Sequence, residues 1–228
     1  FYAERMSEYF GIPAEKLHVT PLGIDTRDFS QLDRSANVAP DQPLTIGYLA
    51  RLAPEKGFHL LVEAFLKLRR QPGFEDTRLL AAGYLGASYH EYAEEQFAAI
   101  RHAGAADSFE YWGEVDRQRK LALLEQIDVL SVPTVYRDPK GLFVLESLAA
   151  GVPVVQPDHG AFPELLESVG GGRLTPPHDV EGLAQALQGL LGDDAERREL
   201  GRRGREAVHQ HRHAEAMARA TWEVFRRF

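Results

Sequence analysis

Two cations and two acids carry the chemistry this sequence offers, each pair set beside a glycine that opens a helix. Arg51 and Lys56 follow the apolar run Leu44–Ala50, and Gly57 comes directly after the lysine. A guanidinium binds phosphate oxygens bidentately, an ammonium supplies a point charge, and a glycine lets backbone approach closely. A strand, a loop with two cations and a helix is what a diphosphate requires. Asp138 and Glu146 flank Gly141, where the apolar segment Leu142–Ala150 begins. A helix opening there has unpaired N–H groups at Gly141 and Leu142 and a positive dipole end, which together suit an anion. Glu146 lies on the same helical face as Leu142 and Phe143, inside an apolar helix, so its carboxylate needs a hydrogen-bond donor. Asp138 is a second acceptor at the same mouth. An anion cradle flanked by carboxylates fits a ligand with phosphates in the middle and hydroxyls at both ends, as in a sugar nucleotide.

The elements that position these residues alternate. Buried strands are expected at Leu44–Ala50, Arg78–Gly83, Phe109–Gly113, Asp128–Pro133 and from Val154 onward. Each is bounded by turn residues and followed by a helical pattern. The helix after Gly57 turns Leu60, Leu61, Ala64, Phe65 and Leu68 inward. Others run from about Ser88 to His102, from an N-cap at Asp116 through Leu121, Leu124 and Ile127, over Pro163–Ser168, and over Asp179–Leu191. Gly151 and Pro153 close the helix that carries Glu146. Tyr84–Tyr92 reads as a surface loop or lid, Gly170–Gly172 as a turn, and His159 as a solvated loop histidine. Glu164 caps the helix that contains it. This alternation predicts an α/β fold, a Rossmann-like parallel sheet flanked by helices, with polar function at the C-terminal ends of the strands.

The stretch from Asp138 to Val155 resembles the signature of the retaining GT-B glycosyltransferases, glycosyltransferase family 4 in particular. It matches at Gly141, Glu146, Ala150, Gly151, Pro153, Val154 and Val155, and departs at Asp138, where the family carries glutamate. Arg51, Leu52, Lys56 and Gly57 resemble the family's phosphate motif. Pro157–Glu164 resembles the loop beside its donor sugar, with Ala161 in place of a glycine. Ile12–Phe29 resembles the connector between its two domains.

The resemblance implies that this chain is the donor-binding half of a GT-B fold. Arg51 and Lys56 would neutralise the diphosphate, and Glu146 would accept from the ribose hydroxyls. Asp138 would hold a sugar hydroxyl, Gly141 and Leu142 would give N–H groups to phosphate or sugar, and the backbone at Gly113 and Val115 would meet the base. No cofactor or metal is expected, only a UDP-, GDP- or ADP-linked sugar and the absent N-terminal acceptor domain of the same protein. Residues 1–37 would be connector and tail of that missing domain, 38–192 the nucleotide-sugar domain and 193–228 a helical tail, with Ser30–Pro43 a linker. Transfer would retain anomeric configuration, and the isolated fragment would be inactive. The alternatives are a non-catalytic nucleotide-sugar-binding module, or a UDP-sugar 2-epimerase or phosphorylase of the same fold.

Composition bounds the rest. A net charge of −8 over 228 residues argues against general nucleic-acid binding, and without cysteine there is neither a disulfide framework nor a thiolate metal site. No apolar run approaches a membrane span, so a cytoplasmic setting is expected. The chain starts at Phe1 without Met, as a fragment would. The Arg-rich end reads as a solvated helix face rather than a contact for anionic lipid. His209 and His213 stand one turn apart there, without a third ligand. Trp222, Phe225 and Phe228 form an apolar end suited to packing on the absent domain.

Overall fold

The computed structural model describes residues 2–32 and 42–228. Six parallel strands form one sheet: β1 (Thr45–Leu49), β2 (Arg78–Ala82), β3 (Phe109–Tyr111), β4 (Val129–Ser131), β5 (Val154–Pro157) and β6 (Gly172–Thr175). Their order is β3-β2-β1-β4-β5-β6. The chain therefore winds outward one way from β1 and the other way from β4, and the β1/β4 junction is the switch point at which ligands enter such sheets. The β1–β4 ladder pairs Ile46 with Val129 and Gly47 with Leu130. Residues of the four inner strands are buried on both faces, as helices covering both sides of a parallel sheet demand, while the edge strands β3 and β6 are partly exposed. All five residues of β1 and all three of β4 are buried.

Helices α2 (Phe58–Leu68) and α7 (Val180–Gly192) pack together on the sheet, and α5 (Leu142–Ala149) packs with α8 (Asp194–His211). The inward face of α2 carries Phe58, Leu61, Phe65 and Leu68, and Phe58 meets the Tyr48 ring edge-on at 4.9 Å. Burying side chains of this size contributes roughly 1.5–3 kcal/mol each. The remaining helices are α1 (Tyr2–Phe10), α3 (His90–His102), α4 (Arg117–Gln126), α6 (Phe162–Val169) and α9 (Ala214–Phe225). None of the described helices is long and apolar enough to cross a membrane.

Three local expectations are corrected. The turn expected at Gly170–Gly172 holds at Gly170 (φ 64°), but Gly172 already opens strand β6, which pairs with β5 and was not among the expected strands; a Cβ at Gly172 would lie 2.4 Å from the Val154 carbonyl oxygen. The linker expected over Ser30–Pro43 begins later, since Phe29 and Leu32 are buried and Arg205 donates to the carbonyls of Ser30 and Leu32. The rest of that linker, with the boundary at 37/38, falls among residues 33–41, outside the described residues. The expected tail does not hang free, because α8 lies against α5 and β6. Cβ atoms at Gly201 and Gly204 would come within 2.2 Å of the Gly151 carbonyl oxygen and 2.6 Å of Leu148 Cδ2, so glycine allows this approach. The tail is helical as expected, in two helices that part at Arg212–His213, where Ile24 bridges to His213.

Candidate functional site

Three strand ends supply the site. The loop after β1 is fixed by backbone before any side chain acts: Ala50 N–H donates to the Ala82 carbonyl, Leu52 N–H to Tyr84, and Val135 N–H to the Glu55 carbonyl at 3.0 Å. The buried Tyr48 hydroxyl donates to the Arg51 carbonyl at 2.8 Å. Pro54–Lys56 is a single 3-10 turn, and Gly57 follows with φ 71°, its α-carbon pressed against the Pro133 carbonyl. The glycine thus brings the cation loop against the chain that leaves β4. Arg51 points outward and pairs with Glu55 at 3.1 Å. Lys56 points inward and is nearly buried.

The loop after β4 meets it. The Lys56 ammonium lies 2.7 Å from Asp138 Oδ2 and donates to the Tyr136 hydroxyl at 2.7 Å. Tyr136 in turn donates to Asp138 Oδ2 at 2.7 Å. The other carboxylate oxygen, Oδ1, accepts from the N–H groups of Lys140 at 2.9 Å and Gly141 at 3.0 Å. Burial works against the Asp138 carboxylate, but these donors outweigh it and hold its pKa at about 2. Burial also opposes the Lys56 charge, and its bonds to Asp138 and Tyr136 reverse the effect and raise its pKa. Helix α5 opens at Gly141 (φ 61°) as expected, and Leu142 at its mouth is exposed. The Gly141 N–H, expected to be free for an anion, is taken by Asp138, whereas among the described residues the N–H groups of Leu142 and Phe143 have no partner.

One turn further along α5, Glu146 accepts from the Lys120 ammonium at 2.7 Å. Lys120 belongs to α4, whose N-cap is Asp116, accepting from Arg119 N–H at 2.8 Å as expected. Gly113 and Val115 lie in the loop between β3 and α4, which is tied to the loop after β2 by the Gly83 N–H donating to the Gly113 carbonyl. The α4 helix therefore links the loop expected at the base to the acid expected at the ribose.

The structure thus brings Lys56, Asp138 and Gly141 into direct contact and sets Glu146 on the helix they open. Arg51 shares the loop but faces Glu55. Two residues of the site were not singled out from sequence. Tyr136 had a signal, lying two residues before the first acid. Lys120 had a weaker one, a cation four residues before the inward Leu124.

Several side readings change. His159 is half-buried rather than solvated, with Nε2 3.3 Å from Thr134 Oγ1, and burial lowers its pKa. Tyr92, at the end of the expected lid, is pinned: it accepts from His59 N–H at 3.1 Å and its hydroxyl lies 2.9 Å from His59 Nδ1. Glu164 stands in the first turn of α6, inside the helix rather than at its N-cap, which is Ala161. His209 meets the Ala149 carbonyl and His213 pairs with Glu215, so the two do not face a common ion. Among the described residues no group of three His, Asp or Glu side chains is arranged to hold a metal.

Comparison with known proteins joins this geometry to a family. Residues 29–207 match the family model described as glycosyl transferases group 1. The amylovoran biosynthesis glycosyltransferase AmsK of Erwinia amylovora is 31% identical over 191 residues, covering 82% of this chain and 44% of that protein. A glycogen synthase of Mycobacterium tuberculosis is 30% identical over 223 residues, covering 97% of this chain and 51% of that one. The chain spans about half the length of these curated relatives. Among solved structures, sucrose-phosphate synthase from Thermosynechococcus elongatus superposes with a TM-score of 0.79 at 26% identity, over 99% of this chain and 56% of that one. The Anabaena protein HepE, solved with UDP and glucose, shares the fold at a TM-score of 0.79 and 22% identity, over 95% of this chain and 58% of that one. The sheet and its flanking helices are those of the GT-B glycosyltransferases, and the chain belongs to the glycosyl transferases group 1 family.

Proposed function

We propose that this chain is the donor-binding, C-terminal half of a retaining glycosyltransferase of family 4, taking a nucleoside-diphosphate sugar at the β1/β4 switch point. One observation carries the reading: the inward cation of the β1 loop, the open N-terminus of α5 and the acid one turn along it lie on adjoining strand ends. That sequence of groups matches diphosphate followed by ribose, and HepE was solved with UDP in a fold of this kind. In this reading Lys56 and the N–H groups of Leu142 and Phe143 face the diphosphate, joined by Arg51 once it leaves Glu55. Glu146 accepts from the ribose hydroxyls with the oxygen that Lys120 leaves free. The backbone at Gly113 and Val115 meets the base.

Breaking the sugar–phosphate bond leaves negative charge on the diphosphate, and fixed cations with a helix N-terminus stabilise it where it develops. No metal has to share that task. The acceptor would bind to an N-terminal domain, present in the protein's cytoplasmic full-length form, that adds to the half described here. Helices α1 and α9 bury no residue of their own, and Tyr9, Phe10, Trp222 and Phe225 are exposed, apolar side chains that such a domain would cover.

Calorimetric titration of the chain with UDP, GDP and ADP, with and without EDTA, tests the reading. Binding of one nucleotide, insensitive to EDTA and lost in Arg51→Ala and Lys56→Ala, is expected. Binding that these variants leave intact would place the ligand elsewhere and refute the assignment.

A further inference from the structure

We propose that Asp138 binds no donor sugar and is a positioning residue, the tie that joins Lys56 to the N-terminus of α5. The inference rests on the donor-site reading and revises one residue within it. A carboxylate offers about four lone-pair positions. Here Oδ1 serves the N–H groups of Lys140 and Gly141, and Oδ2 serves the Lys56 ammonium and the Tyr136 hydroxyl. The side chain is 6% exposed. A sugar hydroxyl could reach it only by displacing one of these donors, leaving a buried ammonium or N–H unpaired.

Nor can the residue swing aside. Its carbonyl accepts from Ala161 N–H at 2.9 Å, and a Cβ at Gly160 would stand 2.6 Å from that same oxygen, so the loop between β5 and α6 clamps its backbone. Side-chain length agrees: aspartate reaches back to the N–H groups two and three residues on, a turn that glutamate closes poorly. What the carboxylate accomplishes lies on either side of it. It holds the Lys56 ammonium at the mouth of α5, 5.8 Å from the Phe143 ring, beside the unpartnered N–H groups of Leu142 and Phe143. An ammonium has three donors, and two are committed to Asp138 and Tyr136, so one remains for a phosphate oxygen. Two separate anion-binding elements, a lysine from the β1 loop and a helix end from the β4 loop, become one site through this acid.

The test compares a nucleoside diphosphate with its glucose conjugate, using the base that the wild-type chain binds. Asp138→Asn keeps an oxygen for the two N–H groups but cannot hold Lys56. It is expected to weaken both ligands by the same factor, roughly tenfold, the worth of one charge-assisted hydrogen bond. The ratio of the two affinities stays at its wild-type value. Tyr136→Phe, which removes one donor and leaves the fold intact, should lower both affinities equally and by less. A variant that loses affinity for the sugar conjugate alone would make Asp138 a sugar ligand and overturn the inference while leaving the donor reading standing. Failure of the wild-type chain to bind any nucleoside diphosphate would overturn both.

Discussion

Replacing Gly57 with alanine would separate the two jobs a glycine can do at the cation loop. Its φ of 71° is left-handed, and a Cβ there would lie 1.8 Å from the Pro133 carbonyl oxygen. Real contacts of this kind do not fall below 3.0 Å, so the loop and the chain leaving β4 must part by about 1.2 Å. That displacement breaks the 3.0 Å bond from Val135 N–H to the Glu55 carbonyl and pulls Lys56 from Asp138. Alanine in the left-handed region costs about 1–2 kcal/mol, and the lost hydrogen bonds add about 1 kcal/mol or more each, roughly 3–5 kcal/mol in all. Gly73 is the control: its φ is 86° and nothing lies within 4 Å of a Cβ, so Gly73→Ala has only the backbone cost. For a chain of this size each kcal/mol moves Tm by about 2–4 °C. Thermal unfolding should therefore show a drop two to three times larger for Gly57→Ala than for Gly73→Ala, by the same estimate. Nucleotide affinity should fall only in Gly57→Ala. Equal Tm shifts, or a Gly57→Ala protein that binds nucleotide normally, would refute the claim that close approach to Pro133 places the cation loop.

Acid should remove the contribution of Asp138. Its folded pKa of about 2 lies below the ordinary 3.8, so the carboxylate stabilises the fold above pH 3.8 and loses that effect as pH falls toward 2. The shift corresponds to about 2–3 kcal/mol, and urea titrations of wild type and Asp138→Asn should differ at pH 7 and converge only as the pH reaches about 2. Leu148→Ala, at a fully buried position between α5 and α8, should cost roughly 2–5 kcal/mol in the same assay. Asp116→Ala should cost about 1 kcal/mol by loss of the α4 N-cap, and a change below a few tenths would argue that the cap is idle.

Local signals made much of the fold legible. Runs such as Leu44–Ala50 and Asp128–Pro133 are apolar because both faces of the sheet are covered, and that pattern survives without knowledge of neighbours. Gly141 and Gly151 bracket α5 for backbone reasons that are equally local. What escaped depends on partners distant in sequence. Strand β6 opens on Gly172 because β5 comes close, and read alone that residue continues the glycine run Gly170–Gly172 that spells a turn. Arg197 looks like one more cation on a basic helix, yet it is buried, donating to the Leu191 carbonyl at 2.8 Å. The pairing of Lys120 with Glu146 spans two helices, and no periodicity announces it. Asp138 illustrates the opposite case: its place in the signature was visible, but the saturation of its oxygens was not.

The glycines of α8 invert a habit of protein engineering. Gly201 and Gly204 sit inside a helix, where each costs about 1 kcal/mol relative to alanine, and helix-strengthening replacements are a common route to a sturdier protein. Here the same replacements would wedge the helix away from Gly151 and Leu148. A library selected for thermal resistance should therefore leave these two positions untouched, however many exposed sites on the same helix accept better helix formers.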